Sequence, residues 1–345
     1  MNILFTCAGR RAYLLRYFRK ELDTSCPGSK IYATDMQLNA PALVFADEKI
    51  QVPSVYADNY LSITLDICRD KRVDMLISLN DLELPLLAAH REEFERQGTK
   101  VLVSSTEVID ISFDKYKTAQ FVESIGLKSP QTYIDYNIAL EAVRSGKLRF
   151  PLVLKPRWGS GSIGIEYVGD IDDMEVTYRL LEKKVKKSIL SDASGSKDYI
   201  LIQENISGPE YGLDIMNDLS GKYRSVSVKR KLSMRAGETD KAITVDNNEL
   251  SKIGRCLGEN LHHIGNLDCD VLERNGEYYV LELNPRFGGG YPFSYEAGVN
   301  FPKAIIKWLL GEDIDDILLR PRIGEMFAKC DILVKVNEAA RSVSY

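Results

Sequence analysis

The chain has 345 residues, enough to bury a substantial core and to form two or three domains. A hydrophobic share of 44% and a charged share of 28% are those of a globular protein in water. A formal net charge of -5 argues against a general nucleic-acid or anionic-membrane surface, and no apolar run approaches the ~18 residues of a spanning helix.

Residues 2–6 enter a strand pattern at once, leaving no room for a signal peptide, so a cytoplasmic protein is expected. Residues 1–113 alternate strand signals (3–7, 31–34, 49–52, 75–78, 101–103) with helical patterns (11–22, 59–71, 82–97). Such alternation predicts right-handed crossovers and an open, mostly parallel sheet, whose ligands bind beyond the carboxyl ends of its strands. The loop Ala8-Gly-Arg-Arg11 there has one glycine where a dinucleotide fingerprint needs three, so Asp35 at the end of the second strand only mimics a ribose acceptor. Asp81 and Glu83 follow the fourth strand and either hold a cationic group or start a helix with favourable charge.

A helix is expected from Asp114 to Ile125 with Gly126 as its C-cap, then a helix near 137–145, a strand at 152–156 and a return strand at 165–168. A charged helix over 172–190 leads into the loop-like stretch 191–197. Strands resume at 199–204, 210–217, 223–230, 265–273 and 277–284 as an antiparallel meander, a helix covers 302–310, and the last thirty residues are mixed. The six cysteines (7, 26, 68, 256, 269, 330) form no CxxC pair and the histidines are 90, 262 and 263, which fits reduced thiols rather than zinc or disulfides. Cys7 reads as a small turn residue.

Chemistry concentrates from residue 155 onward. Gly159, Gly161 and Gly164, with Ser160 and Ser162, formally match GxGxxG, but an extended run follows instead of a helix. The element is therefore a strand–loop–strand flap that can lay backbone N–H groups over phosphates, or a plain surface hairpin. Lys155 ends the incoming strand, where it can reach the same phosphates or remain solvated. Gln203, Glu204 and Glu210 follow an apolar strand and could serve a base and a ribose, or make an ordinary turn. Glu282 and Asn284 alternate on a strand, about 7 Å apart on one face, as a hard-oxygen seat of the kind Mg²⁺ takes. Arg286 lies two residues beyond, where a planar cation can clamp a phosphate or carboxylate. If the preceding strand pairs as a hairpin, Asp268 faces Glu282, with Asp270, of the same parity, as its substitute. Gly288, Gly289 and Gly290 either let backbone donors approach a carboxylate or serve only their φ angles.

The order of Asp114-Lys115, Lys155 with its flap, Gln203-Glu204 with Glu210, Asp268, and Glu282-x-Asn284-Pro-Arg286 resembles the ATP-grasp superfamily of carboxylate–amine ligases. The likeness is to carbamoyl-phosphate synthetase large-subunit-like proteins and stand-alone amino-acid ligases. It implies a Rossmann-like pre-ATP-grasp domain (1–113), an ATP-grasp small lobe with the glycine flap (114–203) and a large lobe with the metal and substrate site (204–345). It further implies phosphate contacts from Lys115 and Lys155, adenine contacts from Glu204 and Ile206, and a ribose contact from Glu210. Asp268, Glu282 and Asn284 would hold two Mg²⁺ ions, with Mn²⁺ as a substitute, and Arg286 would face the transferred phosphate. The basic set Lys229, Arg230, Lys231, Arg235 and Lys241 offers a further phosphate contact or a solvated hairpin tip. The implied reaction joins small-molecule carboxylate and amine substrates at the expense of ATP, by a chain compatible with a homodimer. The alternatives are a non-catalytic ATP sensor on the same scaffold and an NAD-dependent oxidoreductase. Making carbamoyl phosphate from bicarbonate needs two phosphorylations and is not expected of one such unit.

Overall fold

The computed structural model describes residues 1–159, 164–186 and 199–336, together with a short strand at 342–344. The first sheet uses β1 (Asn2–Thr6), β2 (Lys30–Asp35), β3 (Glu48–Gln51), β4 (Met75–Ser78) and β5 (Lys100–Val101). These pair in parallel in the order β3-β2-β1-β4-β5. Their runs are apolar on both faces, as a parallel sheet covered on two sides requires, with Leu4, Phe5, Leu76 and Ile77 all buried. Strand order reverses between β1 and β4, so loops 7–11 and 79–83 flank the crevice where such sheets bind ligands.

On this sheet α1 (Ala12–Ser25) buries Leu14, Leu15, Phe18 and Leu22, one stripe at helical spacing. Next come α2 (Tyr60–Asp70), α3 (Leu84–Ala89) and α4 (Arg91–Arg96). The single helix expected over 82–97 is thus two. Pro85 tightens the start of α3, and His90, at φ -113 and ψ 13, leaves the helical region between them. The helix α5 (Thr106–Phe113), capped by the Ser105 hydroxyl, was not legible beforehand, while α6 (Lys115–Ser124) is the expected helix.

The second sheet orders β6 (Thr132–Tyr133), β7 (Leu152–Pro156), β8 (Glu166–Val168) and β9 (Ile200–Glu204) as β6-β9-β7-β8, all antiparallel. Helices α7 (Tyr136–Arg144) and α8 (Ile171–Lys186) accompany it. Leu152 stands opposite Val168, so the glycine segment does link two antiparallel strands. Ser160, Gly161 and Ser162 of the expected flap, the end of the charged helix and the stretch 191–197 lie outside the described residues.

The third sheet contains β10 (Glu210–Asn217), β11 (Tyr223–Arg235), β12 (Glu238–Thr244), β13 (Gly265–Arg274), β14 (Glu277–Asn284) and β15 (Met326–Ala328). Their order, β14-β13-β10-β11-β12-β15, is antiparallel but is not the single meander expected from 199 onward. The strand at 199–204 belongs to the second sheet, and the chain crosses over at Gly208, where a Cβ would lie 1.9 Å from the Glu273 carbonyl oxygen. Only glycine passes there. Helices α9 (Asn248–Leu261), α10 (Tyr291–Glu296) and α11 (Phe301–Leu309) complete this half. Finally β16 (Ser342–Ser344) returns to the first sheet, parallel to β3. The architecture is the expected one, an open parallel sheet followed by two antiparallel sheets. Among the described residues no helix is long and apolar enough to cross a membrane.

Candidate functional site

A cleft of about 330 Å³ opens between the second and third sheets. Its lining includes Lys115, Lys155, Gly159, Gln203, Glu204, Ile206, Glu210 and Glu282, eight of the residues singled out from the sequence. A small adjoining recess holds Asn284 and Asp81, and shares Lys115, Gly159 and Glu282 with the cleft.

Lys155 lies on β7, is 4% exposed, and its ammonium has no hydrogen-bond or ion-pair partner among the described residues. Burial first, then repulsion from Lys115, lowers its pKa to about 8 against the pull of Glu282. Lys115 opens α6 and donates to the Gly159 carbonyl. Two lysines thus converge on one wall with little to neutralise them. Asp114, read from the sequence as the helix start and the first residue of the Asp114-Lys115 pair, accepts from the backbone N–H groups of Tyr116 and Lys117 and is gripped by Arg157. Arg157 was missed, since nothing in a strand-end arginine announces a partner 43 residues away.

At the opposite end Gln203 is buried, its amide donating to the Thr132 hydroxyl at 2.7 Å. The Glu204 carboxylate is not a free acceptor, because it takes Arg274 at 2.6 Å and faces the Gln131 N–H. Ile206 supplies a buried apolar surface. Glu210 and Asp270 share the Lys231 ammonium at 2.7 and 2.6 Å. Burial pushes Asp270 upward, while Lys231 is held in its charged form. Nor is the basic set a solvated tip. Lys229 is wholly buried on Asp214, Arg235 is exposed but pairs with Asp240 and Asp331, and Arg230 and Lys241 are exposed strand residues.

The hairpin of β13 and β14 corrects the expected facing of Asp268 and Glu282. Asp270 stands opposite Glu282, and Asp268 opposite Asn284. The register shifts beyond Asp270, where Val271 pairs with Val280 and Leu281 is the extra residue. This bulge re-aims the strand. Val280 packs into the core, and without the bulge Glu282 and Asn284 would follow it there by alternation. With it they share a face with Asp268 and Asp270.

The side chains of Glu282 and Asn284 make no hydrogen bond or ion pair among the described residues. Asp268 accepts from Arg286 at 3.1 Å. Among the described residues no three His, Cys, Asp or Glu side chains cluster closely enough to hold a metal alone. Two carboxylates and an amide remain, a hard-oxygen set that fits Mg²⁺ bound jointly with substrate phosphates.

Arg286 is buried and doubly engaged, by Asp81 at 2.8 and 2.9 Å and by Asp268. Asp81 therefore binds a protein cation, and Glu83, fully buried, takes hydroxyls from Thr6, Tyr60 and Ser78. Asp35 accepts from the backbone N–H groups of Gly9 and Gln37, which leaves the dinucleotide reading unsupported. Burial, followed by Glu83, raises the Cys7 thiol well above its usual value, which suits a turn residue and not a nucleophile. Gly164 is at φ +74 in the β7–β8 connection. Gly288, Gly289 and Gly290 have no positive φ; they make room for Asp268, Glu238 and Lys229, whose side-chain atoms a Cβ would meet at 2.1, 2.9 and 2.8 Å.

Comparison with known proteins gives this arrangement a class. Residues 3–102 match the PylC-like N-terminal domain family, and residues 196–324 match a family described as ATP-grasp in the biosynthetic pathway with Ter operon. A biotin carboxylase from Campylobacter jejuni, solved as a β,γ-ATP complex, superposes with TM-score 0.73 at 17% identity over 93% of this chain and 73% of that one. An L-amino acid ligase from Bacillus licheniformis gives TM-score 0.70 at 19% identity over 94% of this chain and 78% of that one. The fold is the ATP-grasp fold, and residues 196–324 match an ATP-grasp family.

Within that class it is similar to carbamoyl phosphate synthase large chains. That of Mesorhizobium japonicum is 23% identical over 247 residues, covering 65% of this chain and 21% of the relative. The N-terminal section from Aquifex aeolicus is 22% identical over 296 residues, covering 80% of this chain and 51% of that one. The chain thus spans about a fifth to a half of the curated relatives it matches.

Proposed function

We propose that this chain is an ATP-dependent ligase that phosphorylates a substrate carboxylate and couples the acyl phosphate to an amine, releasing ADP and phosphate. Lys155 carries the reading. A buried ammonium with no hydrogen bond or ion pair among the described residues, beside a second lysine and only partly offset by Glu282, is unfavourable until an anion arrives, and a polyphosphate supplies one. Glu282 and Asn284, equally without a hydrogen bond or ion pair among the described residues, support the same reading from across the cleft.

In this reading Lys115 and Lys155 bind phosphate oxygens, and Gln203, Glu204 and Ile206 line the base end. Glu210, steadied by Lys231, faces the ribose. Asp268, Glu282 and Asn284 would hold Mg²⁺, or Mn²⁺ in its place, which when bound neutralises phosphate charge. A substrate carboxylate oxygen attacks the γ-phosphorus, the bond to the bridging oxygen breaks, and ADP leaves. The amine nitrogen then bonds to the acyl carbon, loses a proton to the medium, and phosphate leaves. Lys155 and Arg286 stabilise charge on the transferring group. The substrates are small molecules, a carboxylate and an amine.

ADP release measured against pools of carboxylic and amino acids tests this, with hydroxylamine to trap the acyl phosphate. Carboxylate-dependent release is expected. Tight ADP binding with no release under any pool would instead make the chain a nucleotide sensor.

A further inference from the structure

We propose that Asp81 is a positioning residue for Arg286, so that the first sheet supplies a working part of the ligase site. The inference rests on Arg286 facing the transferred phosphate. Asp81 sits in the loop after β4, at the carboxyl end of a central strand and beside the point where strand order reverses. Its two oxygens take Nε and Nη2 of Arg286 at 2.8 and 2.9 Å across 205 residues of sequence. Both side chains are largely shielded from solvent, at 13% and 8% exposure. A side-on fork of this kind fixes the guanidinium plane as well as its place. That orientation leaves Nη1 directed at Asp268 on the β13–β14 face.

The loop bearing Asp81 is itself anchored. Glu83, two residues on, accepts hydroxyls from Thr6 of β1 at 2.6 Å, Ser78 of β4 at 2.6 Å and Tyr60 of α2 at 2.7 Å. On the other side the Asn80 side chain accepts from the Leu82 N–H at 3.1 Å. The chain segment that carries Asp81 is therefore tied to the core of the parallel sheet through Glu83, two residues along the backbone. Asp268 takes only Nη1, at 3.1 Å, so the two-nitrogen fork that sets the guanidinium plane comes from Asp81. A mere staple between the two halves would not need an aligned fork on a cation that also reaches Asp268, opposite Asn284.

The test compares Asp81→Asn with the unaltered chain in three measurements. ADP affinity by calorimetry should change less than about twofold, because the base and ribose contacts lie on other segments. Turnover should fall roughly 10²-fold, the loss expected when a catalytic group is misplaced by about 1 Å. The extra affinity of a non-hydrolysable ATP analogue over ADP, with Mg²⁺ present, should shrink in Asp81→Asn and in Arg286→Lys, and no further in the double variant. That comparison needs no turnover, so it stands even if the chain proves not to be a ligase. Unchanged analogue preference and rate overturn the proposal, as does an equal loss of affinity for both nucleotides. Should Asp81→Asn fail to fold, Asp81→Glu, which keeps the charge but shifts the fork by one methylene, carries the same measurements and outcomes.

Discussion

Arg157 grips the carboxylate of Asp114 with two nitrogens, Nε to Oδ1 at 2.8 Å and Nη2 to Oδ2 at 2.7 Å. The same carboxylate caps α6, and the Lys115 N–H donates to the Arg157 carbonyl at 3.2 Å. One buried ion pair thereby fixes the start of the helix that presents Lys115 to the cleft. Removing only the cation should leave a stranded buried charge. We expect Arg157→Met to lose about 3 to 5 kcal/mol in urea unfolding, with weakened nucleotide affinity. A loss below about 1 kcal/mol would mean that water reaches Asp114 and the pair is not structural.

Lys155 should report phosphate binding through protons. Its pKa is lowered to about 8, chiefly by burial, so the amine is largely neutral above that pH. Phosphate oxygens favour the ammonium and raise its pKa again. Nucleotide binding at about pH 9 should then take up a proton, and affinity should fall as pH rises through about 8 while staying level below about 7. Calorimetry in buffers of different ionisation enthalpy measures the uptake. Lys155→Met should abolish it, and no uptake in the unaltered chain would place the phosphates elsewhere.

Gly288 should be intolerant for a packing reason. Its ideal Cβ lies 2.1 Å from Cγ of Asp268, whose carboxylate also holds Arg286. Asp268 is short and cannot swing aside without leaving the arginine. Gly288→Ala should therefore keep the fold but weaken the Mg²⁺ dependence of nucleotide binding, read as a raised Mg²⁺ midpoint. A midpoint equal to that of the unaltered chain would remove Asp268 from the metal seat.

Local signals were legible where one face is buried and the period is clean. The stripe on α1, the apolar strand β7 and the alternation of β1 to β4 with helices can all be read directly. The site was legible as residue types in order. Its facing was not, because residues 278–283 are apolar on nearly every position and conceal the bulge at Leu281. Long-range pairs were equally hidden. Nothing near Glu204 announces Arg274, and nothing near Arg286 announces Asp81, since such contacts are set by how sheets meet. On β11 the choice between a phosphate contact and a solvated tip stays open in the sequence, because Lys231 and Arg235 show their partners Asp270 and Asp331 only in the fold.

Glu282 and Asn284 should separate function from stability. Neither side chain makes a hydrogen bond or ion pair among the described residues, so Glu282→Gln and Asn284→Ala should move unfolding free energy by only about 0.5 kcal/mol. Turnover should nevertheless fall roughly 10²-fold for each, the scale of losing one preorganised charge-stabilising group. Wild-type rates of ADP release in both variants would show that the metal seat is elsewhere.

His263 should give the protein part of its acid sensitivity. The ring is fully buried just beyond α9, with Nε2 at 3.1 Å from the Ile215 carbonyl oxygen and Nδ1 without a hydrogen-bond partner among the described residues. Nε2 therefore carries the proton and donates it in the neutral ring. Burial lowers the pKa to about 4, against the Ile215 carbonyl and with help from His262. An unfolded histidine titrates near 6.5, so between about 6.5 and 4 the unfolded chain binds a proton that the native chain refuses. Stability from this residue is level above about pH 6.5 and declines as pH falls, by roughly 3 kcal/mol in all. Carboxylates add their own acid slope, so the informative quantity is a difference between two proteins. In His263→Gln, which keeps an amide donor for Ile215, urea midpoints should decline less steeply between about pH 6.5 and 4.5 than in the unaltered chain. Parallel declines would show that His263 is protonated in the native state and has water or a carboxylate within reach.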